Sequence, residues 1–537
     1  MVERKAQLVR STWAIGKGAR GELAKEPERG RIQSPSPVSL SHDNQLVLPL
    51  GDTTTLQPGL GIPRPERVFC NRNLRMTGIA WVGFDMDYTL AIYDQPEMDR
   101  LSIAATQKKL VGRGYPDFIL DVPVSIDFPV RGLLIDKRFG HVLKMDRYKV
   151  VMKGYHGYKK LSKDELRSLY QSKKLRPATP RYHWIDTLYA LSEVALYAAI
   201  VEAFEKREMA VDYARLFSDI RESIDEAHRD GTILDAVLGD LPRYVRRDPD
   251  LASSLHKLRS AGKKLFLLTN SRWPYTDKMM QYLLGGAMSE YPSWKNFFDI
   301  VVVAATKPAF FQERRPLMER DGDAAVPARF PLERGRVYEG GNLHDLERAL
   351  AVTGDQVLYV GDHIYGDILR SKKESAWRTA MIIQELEQEV RAYEECKDDF
   401  ARAGSLEDQR ERLEDDLRFY QARFKELSRH IENGQKNGGK DPGQEAERQR
   451  VKRAVERVRG MLRQTESELD AIEARCDDRF HPFWGSLLKE ANEQSSFGDQ
   501  VEEYACVYTS RVSNFLAYSP QQHYRSPRDV TAHEIGV

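Results

Sequence analysis

Two aspartates, Asp85 and Asp87, stand in D-x-D spacing within Ile79-Ala-Trp-Val-Gly-Phe-Asp-Met-Asp-Tyr-Thr-Leu90, directly after an apolar run. Residues two apart in an extended chain point to the same side, so both carboxylates can face one ligand. Carboxylates this close push their pKa values apart, which suits one to stay ionised while the other carries a proton. Thr89 follows, with a hydroxyl able to turn the chain or hold a phosphate. In isolation, a D-x-D also reads as an Asx-type turn closing a strand. Three further segments turn the reading toward chemistry. Lys264-Leu-Phe-Leu-Leu-Thr-Asn-Ser271 ends in hydroxyl and amide groups, and Ile300-Val-Val-Val-Ala-Ala-Thr-Lys307 ends in a cation. Val357-Leu-Tyr-Val-Gly-Asp-His-Ile-Tyr-Gly-Asp367 ends in two more acids, Asp362 and Asp367.

Each group follows an apolar run of strand length, the pattern of strands buried on both faces of a parallel sheet. Helices are expected between them over 251–261 (closed by Gly262), 275–284, 343–352 and 367–376, with a further strand over 379–383. This alternation predicts an α/β fold, a Rossmann-like parallel sheet with right-handed crossovers. Open α/β sheets bind ligands beyond the carboxyl ends of their strands, where all the groups named above fall.

In chain order, D-x-D, T-N-S, K and G-D-x-x-x-x-D resemble the haloacid dehalogenase-like hydrolase superfamily. The wording FDMDYTL, TNS, TKPAFF and GDHIYGDI resembles the cytosolic purine 5′-nucleotidase family, from about Arg67 to about Glu534. The resemblance implies Mg²⁺-dependent hydrolysis of purine nucleoside 5′-monophosphates, IMP and GMP preferred, through an aspartyl-phosphate. Asp85 would be the nucleophile. Asp87 would protonate the departing ribose oxygen and later take a proton from water. Thr269 would hydrogen-bond the phosphate, Asn270 would help orient it, and Lys307 would neutralise its oxygens. Mg²⁺ would sit on Asp85, Asp362, Asp367 and the carbonyl of Asp87. The demands of the reaction agree. Phosphate monoesters hydrolyse extremely slowly in water. A carboxylate approaching a dianion needs cations beside it, and Mg²⁺ favours octahedral oxygen ligation.

Substrate choice is expected from other residues. Arg221-Glu-Ser-Ile-Asp-Glu-Ala-His228 matches the family's base-binding helix at Arg221, Asp225 and His228, and spacings of 4 and 3 put these on one face. A carboxylate such as Asp225 accepts from the N1–H of hypoxanthine or guanine, whereas adenine offers an acceptor there. Tyr158 in His156-Gly-Tyr158 matches the base-stacking aromatic, and Ser271 is a further substrate contact. Lys159 stands where the family has a neutral amide, and Leu234 stands near a lysine position. Tyr365, Lys373, Gln500 and Tyr504 match part of an adenine-nucleotide effector site, but Glu503 replaces a base, so activation by ATP is not expected. A nucleoside phosphotransferase, or a broader phosphatase, would use the same core. A non-catalytic scaffold should have lost one of Asp85, Asp87, Lys307 or Asp362, and all are present.

A chain of 537 residues exceeds one ordinary domain. We expect a flexible arm over 1–66, core over 67–90 and 251–384, an inserted cap over 91–250, a helical hairpin insertion over 385–479, and a segment over 480–537 packing on the core. The cap should begin irregularly, with hairpin-like stretches at 133–136 and 142–144, then turn helical over 184–204 and 213–228. After residue 384, Leu406, Leu413, Leu417, Tyr420, Phe424, Leu427 and Ile431 keep a 3–4 spacing, as do Val451, Val455, Val458, Leu462, Thr465, Leu469 and Ile472. With a breaker at 433–443, they predict two antiparallel coiled-coil helices of roughly 27 residues, each about 40 Å long. Their seam leads us to expect a homo-oligomer. A net charge of +1 gives no reason to expect nucleic-acid or anionic-membrane binding. No apolar run reaches the roughly 18 residues of a membrane span. Four scattered cysteines suggest reduced thiols, and the start lacks a secretory h-region, so a cytoplasmic location is expected.

Overall fold

The four motif strands lie side by side at the centre of one large sheet. The structure, a computed structural model, describes residues 61–171, 175–322, 324–436 and 442–527. We label the strands β1 (Trp81–Phe84), β2 (Lys264–Leu268), β3 (Ile300–Val303), β4 (Val357–Gly361), β5 (Arg378–Ile382) and β6 (Val507–Thr509). Their order across the sheet is β6-β5-β4-β1-β2-β3, continued by Tyr338–Gly340, with every neighbour parallel. Antiparallel strands close both edges: Phe69–Cys70 on β6, and Leu317–Asp321 with Ala324–Pro327 beyond Tyr338–Gly340. Apart from the outer end of β2, the four motif strands are buried at every position. That is why they read as continuous apolar runs rather than as alternation. The chain moves outward from β1 in both directions, so β1 ends at a topological switch point.

Helices Leu251–Ser260, Trp273–Leu284 and Leu343–Leu350 stand where periodicity places them. The helix expected over 367–376 is different. A wide π-type turn, Ile364–Leu369, precedes the short helix Arg370–Glu374. The amides of Asp367 and Ile368 both donate to the carbonyl of His363, at 2.9 and 3.3 Å. Such widened turns concentrate at functional sites.

Between β1 and β2 the chain makes a long excursion. Ile92–Tyr93 pairs with Val245–Arg246 at its neck. Beyond the neck lies an antiparallel sheet in the order Lys159–Lys160, Val151–His156, His141–Met145, Leu133–Asp136, Tyr182–Ile185. Helices Leu191–Glu205 and Tyr213–Arg229 pack on it, and Gln95–Gly112 packs on those two helices. The helical start expected at 184 is corrected, because Tyr182–Ile185 pairs with Leu133–Asp136 and helix begins only at Leu191. Helix Gln95–Gly112 escaped the sequence pattern. Its buried face mixes Asp99, Ser102, Thr106 and Gln107 with Met98, Ile103 and Leu110, which blurs the apolar period.

The paired helices after β5 run over Lys397–Lys436 and Pro442–Phe480, 40 and 39 residues against the roughly 27 expected. Charged residues of good helix propensity carry them past both ends of the apolar seam. Contacts Arg402–Glu468 and Arg423–Glu447 fix the antiparallel sense. Leu406, Leu413, Leu427, Val451, Val455, Val458, Leu462, Thr465 and Ile472 are buried along the seam. Of the expected breaker, 437–441 lies outside the described residues, as does the expected arm up to residue 60; Arg64–Glu66 form one 3₁₀ turn. The chain then adds β6 to the central sheet beside β5. The four cysteines are free thiols, and among the described residues no helix is long and apolar enough to cross a membrane.

Candidate active site

The loops after β1, β2, β3 and β4 meet at one place. One carboxylate oxygen each from Asp85, Asp362 and Asp367 lies within 4.8 Å of the others. The Lys307 ammonium stands among them, 2.9 Å from Asp85 Oδ1 and 2.7 Å from Asp367 Oδ1, and donates to the Tyr359 hydroxyl at 3.0 Å. Tyr359 in turn donates to the Leu268 carbonyl at 3.1 Å. Gly361 makes room for Asp367, since a Cβ there would lie 2.7 Å from the aspartate's own Cβ. Asp85 Oδ1 also accepts from the Met86 amide at 2.8 Å.

Burial pushes the Asp85 carboxyl well above the usual carboxylate range; Lys307 opposes this, while Asp367, Asp362 and Asp87 add to it. Burial and the neighbouring Asp367 raise Asp362 to about 7. For Lys307, burial favours the neutral amine, but Asp367 and Asp85 outweigh it and hold the ammonium charged. One ammonium among three crowded carboxyls leaves surplus negative charge. A hard divalent cation on these oxygens would relieve it, and Mg²⁺ fits the donor set.

Asp87 is held by hydroxyl groups rather than by Lys307. Tyr93 donates to its Oδ1 and Ser271 to its Oδ2, both at 2.6 Å. Tyr275 lies 2.8 Å from the Tyr93 hydroxyl. Burial raises the Asp87 pKa against these two hydrogen bonds, so its carboxyl favours the protonated form more than a free aspartate does. Ser271, expected on the substrate, thus spends its hydroxyl on Asp87. Asn270, expected to help orient phosphate, clamps the Lys307 main chain: its Oδ1 accepts from the Lys307 amide at 2.5 Å and its Nδ2 donates to the Lys307 carbonyl at 3.0 Å. Thr269 is fully buried and accepts from the Ser271 amide at 3.1 Å. Tyr88, Ala304 and Thr306 take left-handed backbone conformations around the site, a strain that L-residues rarely carry elsewhere.

The expected base-binding residues are not all brought together. Arg221 Nε lies 3.3 Å from Glu193 Oε2, and the His228 ring packs 4.5 Å from that of Tyr189. Asp225 is exposed at the edge of this group, and the buried carboxyl there is Glu193. Tyr158 lies elsewhere. Its hydroxyl accepts from the Ser125 amide at 3.0 Å and its amide donates to Glu202 at 3.2 Å. Glu193 and Glu202 are nine residues apart on helix Leu191–Glu205, hence about 13 Å along the axis and half a turn round it. The Tyr158 main chain and Arg221 therefore meet that helix on opposite sides. His363, beside Asp362, meets Asp186 from the excursion at 3.3 Å.

Sequence reasoning missed Tyr93, Tyr275, Tyr359, Glu193, Asp186 and Arg131. A single arginine at the head of the apolar run Arg131-Gly-Leu-Leu-Ile135 was the one visible signal among them. Its Nη1 donates to the Asp362 carbonyl at 3.1 Å.

Fold and site define the class, a phosphoric monoester hydrolase built on a parallel α/β sheet. The profile of the 5′ nucleotidase family matches residues 68–536, and the chain belongs to that family. It is 27% identical over 508 residues to a 5′-nucleotidase domain-containing protein of Dictyostelium discoideum, covering 92% of this chain and 78% of that one. It is 31% identical over 341 residues to 5′-nucleotidase domain-containing protein 2 of Homo sapiens, covering 61% of this chain and 64% of that protein's length. Among solved structures it is similar to L-2-haloacid dehalogenase from Xanthobacter autotrophicus, at 17% identity and a TM-score of 0.20, covering 57% of this chain and 78% of that one.

Proposed function

We propose that this chain is a Mg²⁺-dependent 5′-nucleotidase acting on purine nucleoside 5′-monophosphates through an aspartyl-phosphate. The observation that carries the reading is the division of labour between two aspartates one residue apart. Asp85 is seated against a lysine and two further acids, whereas Asp87 is gripped by two hydroxyls. Asp85 attacks phosphorus. Asp87, holding a proton, gives it to the leaving ribose oxygen and later takes one from the water that opens the acyl phosphate. Lys307 neutralises phosphate oxygens, with its main chain fixed by Asn270. Asp85, Asp362, Asp367 and the Asp87 carbonyl would hold Mg²⁺, which when bound supplies positive charge to the phosphate and to the Asp85 carboxylate.

The insertion over 91–250 acts as the cap that selects the base. Arg221, His228 and Glu193 form its polar face, with Asp225 at the rim. A site built to accept a base N–H rejects a base lacking it, which favours 6-oxopurines over adenine. The test is a phosphate-release screen across nucleoside monophosphates with Mg²⁺ or EDTA, using Asp85→Asn as the blank. IMP and GMP should exceed AMP, and EDTA and Asp85→Asn should each abolish release. Equal rates on AMP and IMP would refute base selection, and release by Asp85→Asn would refute the mechanism.

A further inference from the structure

Arg131 lies in the segment Phe128-Pro-Val-Arg-Gly132, which leads into the strand Leu133–Asp136 of the excursion's sheet. It is 1% exposed, and its guanidinium reaches three groups outside that sheet. Nε and Nη2 donate to the two carboxylate oxygens of Glu385, at 2.8 and 2.6 Å. Nη1 donates to the Asp362 carbonyl at 3.1 Å. The guanidinium stands 4.9 Å over the ring of Phe497. Gly132 follows at φ +85°, and a Cβ there would lie 2.6 Å from the Cβ of Phe497. The backbone therefore passes too close to Phe497 for any side chain, which fixes where Arg131 begins. Next to Glu385, Gln384 donates to the Tyr88 carbonyl at 3.1 Å. The short turn after β5 thus grips the Asp87 loop directly and the Asp362 loop through Arg131.

Packing alone does not call for this arrangement. Burying a guanidinium costs several kcal/mol even with a partner at the surface, and apolar residues of like volume fill such space as well or better. A rigid planar fork adds something apolar residues lack: it holds a carboxylate and a carbonyl at set angles at once. We propose that Arg131 is a positioning residue for the metal loop. It fixes the main chain at Asp362 so that the three carboxylates converge, and it ties that convergence to the seating of the cap. The proposal rests on the Mg²⁺ role assigned above. Groups that orient ligands in this way typically change metal affinity by 10–100-fold when removed.

The test uses the full chain carrying Arg131→Lys, which keeps the charge but loses the fork, or Glu385→Gln, which weakens the anchor. Mg²⁺ binding is measured by calorimetry on the substrate-free protein, alongside metal-free thermal unfolding and the Mg²⁺ dependence of phosphate release. Both variants should bind Mg²⁺ more weakly, by roughly 10–100-fold for Arg131→Lys. Most of kcat should return at saturating Mg²⁺. A lower unfolding temperature with unchanged Mg²⁺ affinity would reduce Arg131 to a structural role and overturn the proposal. Should Arg131→Lys fail to fold, Glu385→Gln decides by the same criterion, because Glu385 is partly exposed. Failure of wild type to bind Mg²⁺ would overturn the proposed function and this assignment together; normal binding by both variants overturns this assignment alone.

Discussion

The excursion between Ile92 and Arg246 meets the rest of the chain through buried charge, whereas the helical pair between Lys397 and Phe480 is laced by charge facing solvent. Lys144, 3% exposed at its side chain, bonds Glu490 at 2.7 Å and the carbonyls of Trp484, Ser486 and Lys489 at 2.8, 2.6 and 2.8 Å. Lys153 bonds Asp477 at 2.6 Å nearby. Along the helical pair, Arg402–Glu468 and Arg423–Glu447 join side chains that are 39–54% exposed. Exposed pairs contribute about 0–1 kcal/mol and are screened by salt. Buried pairs are costly to form and costlier to break, so they select one seating over its near neighbours. Two insertions into one sheet thus follow different rules. The one that reaches the site is registered by buried charge, and the other is joined along its apolar seam and anchored at its root, where Asp477 meets Lys153.

The largest effect should come from cutting the registered side. Lys144→Met leaves Glu490 buried, with only Lys153 at 3.5 Å, and should cost about 3–5 kcal/mol in chemical denaturation. A loss under about 1 kcal/mol would place this link among ordinary surface pairs and erase the contrast.

A smaller effect should appear with acid. Burial and the nearby His156 push His141 down to about 4, against the pull of Asp136, while the Tyr170 hydroxyl sits 2.7 Å from its Nδ1. The unfolded chain takes up this proton near pH 6.5 and the folded one only near pH 4. Stability from His141 is therefore complete above about pH 6.5 and is lost as pH falls toward 4, by up to about 3 kcal/mol. Asp99 and Glu193, raised by burial to about 7, act in the opposite sense. The useful quantity is the difference in unfolding free energy between wild type and His141→Gln. It should shrink from pH 7 to pH 4, and a constant difference would refute the buried neutral imidazole.

The smallest effect is expected from the helical pair. Leu406 and Ile472 pack with Ala392, Cys396 and Phe480 at its root, so an excision should spare them. Replacing 409–465 with a short Gly/Ser linker should leave kcat/KM unchanged, because the seam is buried between the two helices and the pair stands outside the four motif loops. Lost activity in a variant that still folds, judged by its thermal unfolding, would make the pair part of the site and merge the two regions.

What was legible in the sequence follows the same division. β1 to β4 were readable because burial on both faces demands apolar residues throughout, and their polar ends stood out against that run. The seam of the helical pair was readable because one apolar stripe is repeated for many turns. The grip of Tyr93 and Ser271 on Asp87 was not, since 184 residues separate Ser271 from its partner. Helix Gln95–Gly112 was hidden by polar groups on its buried side. The choice between Asp225 and Glu193 depended on which face of two crossing helices is covered, and spacing along one helix says nothing of that.

The neck formed by Ile92–Tyr93 and Val245–Arg246 brings both ends of a long excursion side by side. To the sheet, some 150 residues are worth little more than a tight turn, because loop closure grows only with the logarithm of length. The excursion is in that sense a cassette, exchangeable for a shorter or foreign one without moving β1 from β2. Arg131 sets the condition on such an exchange: a substitute cassette would have to bring its own finger to the Asp362 carbonyl.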